Sequence, residues 1–239
     1  MKKIVVCFLI LFLICGCGDR EDKLIMVTEA GFAPYEYYSD GKIVGVDVDI
    51  ARKIANELGK ELVVKDVSFD SIIHEVKSGK ADIGVAGISY TEERAKEVDF
   101  SNNYTISRQV IVVQKSSFIQ EIKDIDKKKI AVQLGSVADM YVTEVYSKEY
   151  IVREKKYLAA IQDLKDGKVD CVVMDELPAQ GIVSSNQDLR ILDDVLIEDY
   201  YGIIVDKGNQ ELLEVINQVI DRLKREGKID EYLMNHLSR

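Results

Sequence analysis

Histidine, proline and cysteine are scarce in this 239-residue chain, and positive charge is outnumbered. Two prolines and 15 glycines leave no room for a long disordered or collagen-like segment. The only histidines are His74, inside a predicted helix, and His236, near the C-terminal end. Neither is a placed acid or base, and no H-E-x-x-H pair, phosphate-binding glycine loop or paired-cysteine motif occurs. Lys and Arg number 32 against 42 Asp and Glu, a formal charge of −10. That argues against nucleic acid, whose affinity rests on cations neutralising phosphates, and against a polybasic membrane-surface mode. A chain with 47% hydrophobic and 31% charged residues suits a soluble globular protein of one or two domains.

Three of the four cysteines fall within the first 17 residues. "MKK" supplies a positive start, residues 4–14 are uncharged and apolar, and "CGC" follows. The run is too short to span a bilayer, so residues 1–16 read as a secretory signal. "LICGC" resembles a bacterial lipobox, which implies lipidation of Cys17 after Gly16 and a tether over residues 17–22. Cys7 and Cys15 leave with the signal, so only Cys171 remains and no internal disulfide can form. Cys171 lies in the apolar run "VDCVVM" and reads as a small core residue.

The chain echoes itself. Residues 71–87, "SIIHEVKSGKADIGVAG", match residues 159–175, "AAIQDLKDGKVDCVVMD", at a constant offset of 88. In both, an amphipathic helix stops at a glycine suited to a left-handed position, Gly79 or Gly167, and a short apolar strand follows. "DVDIARKIANELGK", "SVADMYVTEVY" and "ELLEVINQVIDRLKREG" read as further helices, "RQVIVVQK" and "KKIAVQ" as buried strands. This alternation predicts two α/β lobes with largely parallel sheets, joined by short strand-like connections near residues 105–109 and 194–200. Ligands gather beyond the carboxyl ends of such strands, and the offset makes Gly87 and Asp175 equivalent strand ends. A bare backbone thus faces a carboxylate across a cleft.

Four separated stretches, "GFAPYEYYSDGKIVGVDVDIARKIANELG", "GKADIGVAGISYTEERAKEVDFS", "GKVDCVVMDE" and "LKREGKIDEYL", together resemble bacterial polar amino-acid-binding proteins of ABC importers. The resemblance covers residues 23–239. It implies a two-lobed periplasmic-binding-protein architecture with two crossover strands. The first lobe would be discontinuous, residues 23–106 with 198–239, and the second residues 107–197. It also implies a ligand α-carboxylate on Arg94, helped by Ser89, the backbone at Gly87 and the amide near Ser136. A guanidinium fork and bare backbone N–H groups suit that task. Asp175 matches the α-ammonium anchor, and Phe32 the aromatic lying along the ligand side chain. Each has an alternative: a solvated Arg94 paired with a nearby Glu, Asp175 capping the helix after it, Phe32 as plain core. Ser89 and Thr91 compete to cap "EERAKEV", and Thr91 is better placed.

Glu29 matches a position that is acidic in relatives binding basic amino acids, with Asp47 assisting; the alternative is a solvated Glu29 or one bonded to an amide. Gln133 borders the same cleft. The implied function is capture of a polar, cationic amino acid (arginine or lysine) by hinge closure, outside the cytoplasm, and delivery to an ABC permease. The protein would be a monomer held to the membrane by lipid on Cys17, binding no nucleic acid, metal or cofactor. The alternatives are a glutamine or other polar amino-acid binder, an enzyme like the cyclohexadienyl dehydratases that share the fold, and a receptor-kinase sensor module.

Overall fold

The computed structural model describes residues 22–238. The signal segment and Cys17 lie outside the described residues. Two five-stranded sheets organise the chain. In the first, the strand order is Glu61–Asp66, Lys23–Thr28, Ile83–Gly84, Ile204–Asp206, Val98–Phe100. In the second it is Ile151–Glu154, Ile130–Gln133, Cys171–Asp175, Thr105–Gln114, Leu189–Tyr201. Three strands in each are parallel, and antiparallel pairings complete the sheet. The sheets are therefore mixed rather than largely parallel, because the chain crosses between lobes and returns in the opposite sense.

The internal echo has a structural counterpart. Ile83–Gly84 and Cys171–Asp175 hold the same central place, each with a parallel strand on one side and an antiparallel strand on the other. Helices Ile72–Lys77 and Tyr157–Lys165 precede them and stop before Gly79 and Gly167, at φ 67° and 70°.

The two predicted connections are the lobe-joining ends of long paired strands. Thr105–Gln114 and Leu189–Tyr201 run antiparallel from Thr105↔Tyr201 to Gln114↔Leu189, with register shifts around Val195. Beyond their shared end the chain joins the first sheet, at Val98–Phe100 and at Ile204–Asp206. Helix Gln210–Arg225 then lays its buried stripe Ile216, Val219, Ile220 and Leu223 into the first lobe's core. Asn209 caps it by accepting the Leu212 amide, and Arg222 meets Glu57 at 2.7 Å. Both chain ends thus build one lobe.

Helix Val46–Glu57 buries Ile50, Ala51, Ile54 and Ala55, the i, i+1, i+4 spacing expected of a stripe facing a core. Its entry fixes the near wall of the cleft. Gly45 sits at φ 138°, and a Cβ there would lie 1.9 Å from the Tyr35 carbonyl oxygen. Only glycine lets residues 34–36 run this close, where Pro34 and Tyr35 accept the amides of Val46 and Asp47. Gly45→Ala is expected to cost about 3 kcal/mol or to prevent folding, because backbone cannot yield as a side chain does. Gly59→Ala, at positive φ but with nothing within 4 Å of its Cβ, should cost about 1 kcal/mol. Urea unfolding of the two variants checks the contrast.

Candidate functional site

The first strand end is bare for a packing reason. Gly87 lies at φ 53°, and a Cβ there would come 2.7 Å from the Phe32 ring and 3.2 Å from that of Tyr201. Its amide points inward and donates to Asp47 Oδ2 at 2.9 Å. Gly87 lines the cleft as the sequence suggested, but its N–H is already used, and Asp47, read as a cleft residue, lies behind the cleft wall. Asp47 also accepts the Tyr104 hydroxyl at 2.9 Å and a hydrogen bond from Glu36. Burial, then the neighbouring Asp47 charge, raises the Glu36 carboxyl well above its ordinary range.

Thr91 caps helix Glu92–Glu97 by accepting the Arg94 amide at 3.1 Å. That geometry turns the Arg94 side chain into the cleft, where it is 4% exposed. Its guanidinium donates to the Ser89 carbonyl at 2.6 Å and, across the cleft, to the Gly135 carbonyl at 2.8 Å. The ring of Phe69 lies 5.6 Å below it. A guanidinium has five N–H donors, so these two bonds leave donors for a carboxylate.

The second strand end carries Asp175. Its carboxylate makes no bond to the helix that follows, which disposes of the capping alternative. Asp175 Oδ1 accepts from Ser107 at 2.8 Å, Gln109 Nε2 at 2.7 Å and the Tyr201 hydroxyl; Tyr157 stands 3.5 Å from Oδ2. Gln109 Nε2 also donates to Asp199 at 2.9 Å, and Asp199 accepts the Ser89 hydroxyl at 2.9 Å. With its amide nitrogen held between two acids, Gln109 leaves its own buried carbonyl oxygen without a hydrogen-bond partner among the described residues. Burial, then the Asp199 charge, pushes the Asp175 carboxyl up to about 6.

Glu29, just beyond the strand Lys23–Thr28, is 2% exposed. Oε1 faces the Lys156 ammonium at 3.1 Å, and Oε2 accepts from Gln133 Nε2 at 3.2 Å. Burial raises its carboxyl, and the bond to Lys156 works against that. Phe32 stacks on Tyr157 across the cleft, ring centroids 5.6 Å apart. Ser136 caps helix Val137–Val145 by accepting the Asp139 amide at 3.1 Å. Its own amide donates to the Gln133 carbonyl, so the helix's positive end reaches the cleft through Val137.

A small cavity of about 10 Å³ joins these groups. Glu29, Phe32, Gly87, Ser89, Gln133, Ser136 and Asp175 line it, together with Glu36, Phe69 and Tyr157. Of the nine residues read from the sequence, Arg94 and Asp47 do not line it; Arg94 bridges the lobes beside it. Reasoning from sequence missed Asp199, Gln109, Lys156, Glu36 and the aromatics. One signal was available: extending the 88-residue echo two positions upstream aligns Phe69 with Tyr157. Those rings lie under Arg94 and beside Asp175 respectively.

A cleft between two α/β lobes, bridged by a buried guanidinium and lined by a carboxylate at a central strand end, is the architecture of a small-solute binder. Residues 24–238 match the family model of bacterial extracellular solute-binding proteins, family 3, and the chain belongs to that family. It is 32% identical to the arginine-binding extracellular protein of Bacillus subtilis, over 97% of this chain and 96% of that one. It is 27% identical to a probable histidine-binding protein of Campylobacter jejuni, over 99% of each. A substrate-binding protein of an amino-acid ABC transporter from Streptococcus pneumoniae, solved with L-arginine, superposes with a TM-score of 0.87 at 36% identity, covering 91% of this chain and 95% of that one. An ancestral arginine-binding protein solved with glutamine gives 0.85 at 38% identity, covering 91% and 99%. The family comprises solute-binding proteins that work outside the cytoplasm.

The raised Asp175 carboxyl carries a pH signature. An unfolded aspartate titrates near its ordinary value of 3.8, whereas folded Asp175 titrates at about 6. The folded state holds the extra proton across that interval, so this group's contribution to stability falls as pH rises from about 4 to 6. Asp175→Asn should therefore melt higher than the parent at pH 7 without ligand, by the equivalent of roughly 2–3 kcal/mol, with the gap closing towards pH 4. Melting curves between pH 4 and 7 measure it.

Proposed function

We propose that the protein captures an amino acid with a cationic side chain, arginine or lysine, and passes it to a membrane-embedded ABC permease. The observation that carries this reading is the charge around Glu29. Two carboxylates, Glu29 and Asp66, share one ammonium, that of Lys156, at 3.1 and 3.6 Å. One negative charge beside a cavity walled by Phe32, Phe69 and Tyr157 is left for a ligand cation to balance. In this reading Arg94 and the helix end at Ser136 and Val137 take the α-carboxylate, Asp175 takes the α-ammonium, and Ser89, whose hydroxyl donates to Asp199, fixes the wall between them. Phe32 lies along the side chain, and Glu29 with Gln133 receives its charged end. Gly87 gives the ring of Phe32 its place, and Asp47 holds Gly87. The names of the arginine-binding relatives and the arginine seen in the Streptococcus pneumoniae protein support the assignment.

The lobes would be residues 23–106 with 198–239 and residues 107–197, hinged where Thr105–Gln114 and Leu189–Tyr201 leave the second sheet. Closure joins the lobes over the ligand, as in other hinged binding proteins. Lipid on Cys17, after removal of residues 1–16, would hold a monomer at the outer face of the membrane. A second reading, a glutamine binder, is favoured by one observation: Lys156 already neutralises part of the Glu29 charge. The ancestral protein solved with glutamine adds support to it.

A thermal-shift screen of the mature protein against the twenty amino acids separates these readings. Ligand binding only the native state stabilises it by about 4 kcal/mol at a thousandfold excess over Kd. The largest shift is expected for arginine or lysine; a dominant response to glutamine with none to basic amino acids selects the second reading. Arg94→Ala should abolish binding while the ligand-free protein keeps its circular dichroism. Unchanged affinity in that variant removes the carboxylate clamp.

A further inference from the structure

Lys156 stands where a ligand's cation would go. It is the N-cap residue of helix Tyr157–Lys165 in the second lobe, and its side chain is 45% exposed. Its ammonium crosses the cleft to two acids of the first lobe, Glu29 Oε1 at 3.1 Å and Asp66 Oδ2 at 3.6 Å. The two acids are held differently. Glu29 is buried, and among the described residues its carboxylate is otherwise bonded only to Gln133 Nε2 through Oε2. Asp66 is anchored by the Ala30 amide at 2.8 Å and the Tyr38 hydroxyl at 3.2 Å, and is 24% exposed. A lysine on a flexible four-carbon stem can leave Glu29 and stay beside Asp66, keeping both its charge paired and its head in water. No such retreat is open to Glu29, whose carboxylate stays buried and needs a cation.

We propose that Lys156 is a specificity-determining residue that acts as a tethered competitor. It seats its ammonium on Glu29 when the cleft holds no cation, and yields that seat, moving onto Asp66, when a cationic amino acid enters. A neutral side chain leaves Lys156 in place. The lysine therefore lowers affinity for the cationic ligand while keeping the site stable with a neutral one, narrowing the gap between the two. This rests on the reading of Glu29 as the receiver of the ligand's charged end.

The test is isothermal titration of L-arginine and of L-citrulline, its neutral isostere, into the parent, Lys156→Met and Lys156→Arg. Methionine keeps the stem and drops the charge. In Lys156→Met the competitor is gone, so arginine should bind about fivefold tighter and citrulline about fivefold weaker, raising their affinity ratio more than tenfold. Lys156→Arg retains the charge and should keep the parent ratio, which separates charge from shape. An unchanged ratio in Lys156→Met overturns the proposal, as does a weaker arginine affinity there, which would make Lys156 a ligand contact. If arginine and citrulline bind equally both to the parent and to Lys156→Met, the reading of Glu29 fails instead, and the proposal with it.

Discussion

Buried negative charge is the constraint on which this structure turns. Among the described residues six carboxyl groups are buried, Glu29, Glu36, Asp47, Asp139, Asp175 and Asp199, against one buried guanidinium, Arg94. Charges removed from water must be paired, protonated or hydrogen-bonded, and each acid shows one of these solutions. Asp139 pairs with Arg153 at 2.8 Å. Glu36 lies beside Asp47, and burial with that neighbouring charge raises its carboxyl well above the ordinary range. Glu29 borrows the Lys156 ammonium. Asp175 and Asp199 divide the donors of Gln109, Ser107, Ser89 and Tyr201 and lie near Arg94. The last two arrangements leave the cleft short of positive charge at two places, which under the proposed function the two cations of a basic amino acid would fill.

The same groups couple charge to closure. Arg94 reaches the Gly135 carbonyl, Glu29 meets Lys156 and Gln133, and Phe32 meets Tyr157, each contact linking one lobe to the other. Asp199 lies on a crossover strand and ties Ser89 of the first lobe to Gln109 of the second. A ligand held as proposed between Arg94 and Asp175 would therefore touch the network of the crossover strands itself, not two independent walls. Burial raises the acids' affinity for protons, and a bound ammonium answers the same electrostatic need.

Local pattern made the fold legible. The echo at offset 88 corresponds to two strands in equivalent sheet positions, each preceded by a helix that ends at a left-handed glycine. Apolar spacing placed helix Val46–Glu57, and hydroxyl position placed Thr91 as its helix's cap. Asp175 was legible as a strand end, since a helix follows it at once. What stayed hidden depends on juxtaposition. Lys156 reads as one more surface cation until the second lobe is set against Asp66. Asp199 and Gln109 sit in crossover strands whose pairing register no local pattern reveals. Asp47 was misjudged because a helix's first turn can face a cleft or the strand behind it, and only the fit of Gly45 against Tyr35 decides which.

The most direct test is a crystal structure of the mature protein grown with L-arginine. The account predicts the α-carboxylate on the Arg94 guanidinium and the Val137 amide, the α-ammonium on Asp175, and the side-chain guanidinium on Glu29, with Phe32 and Tyr157 parted around it. A ligand bound in the reverse sense, with its α-carboxylate on Lys156 and its guanidinium beside Asp175 and Asp199, would contradict it.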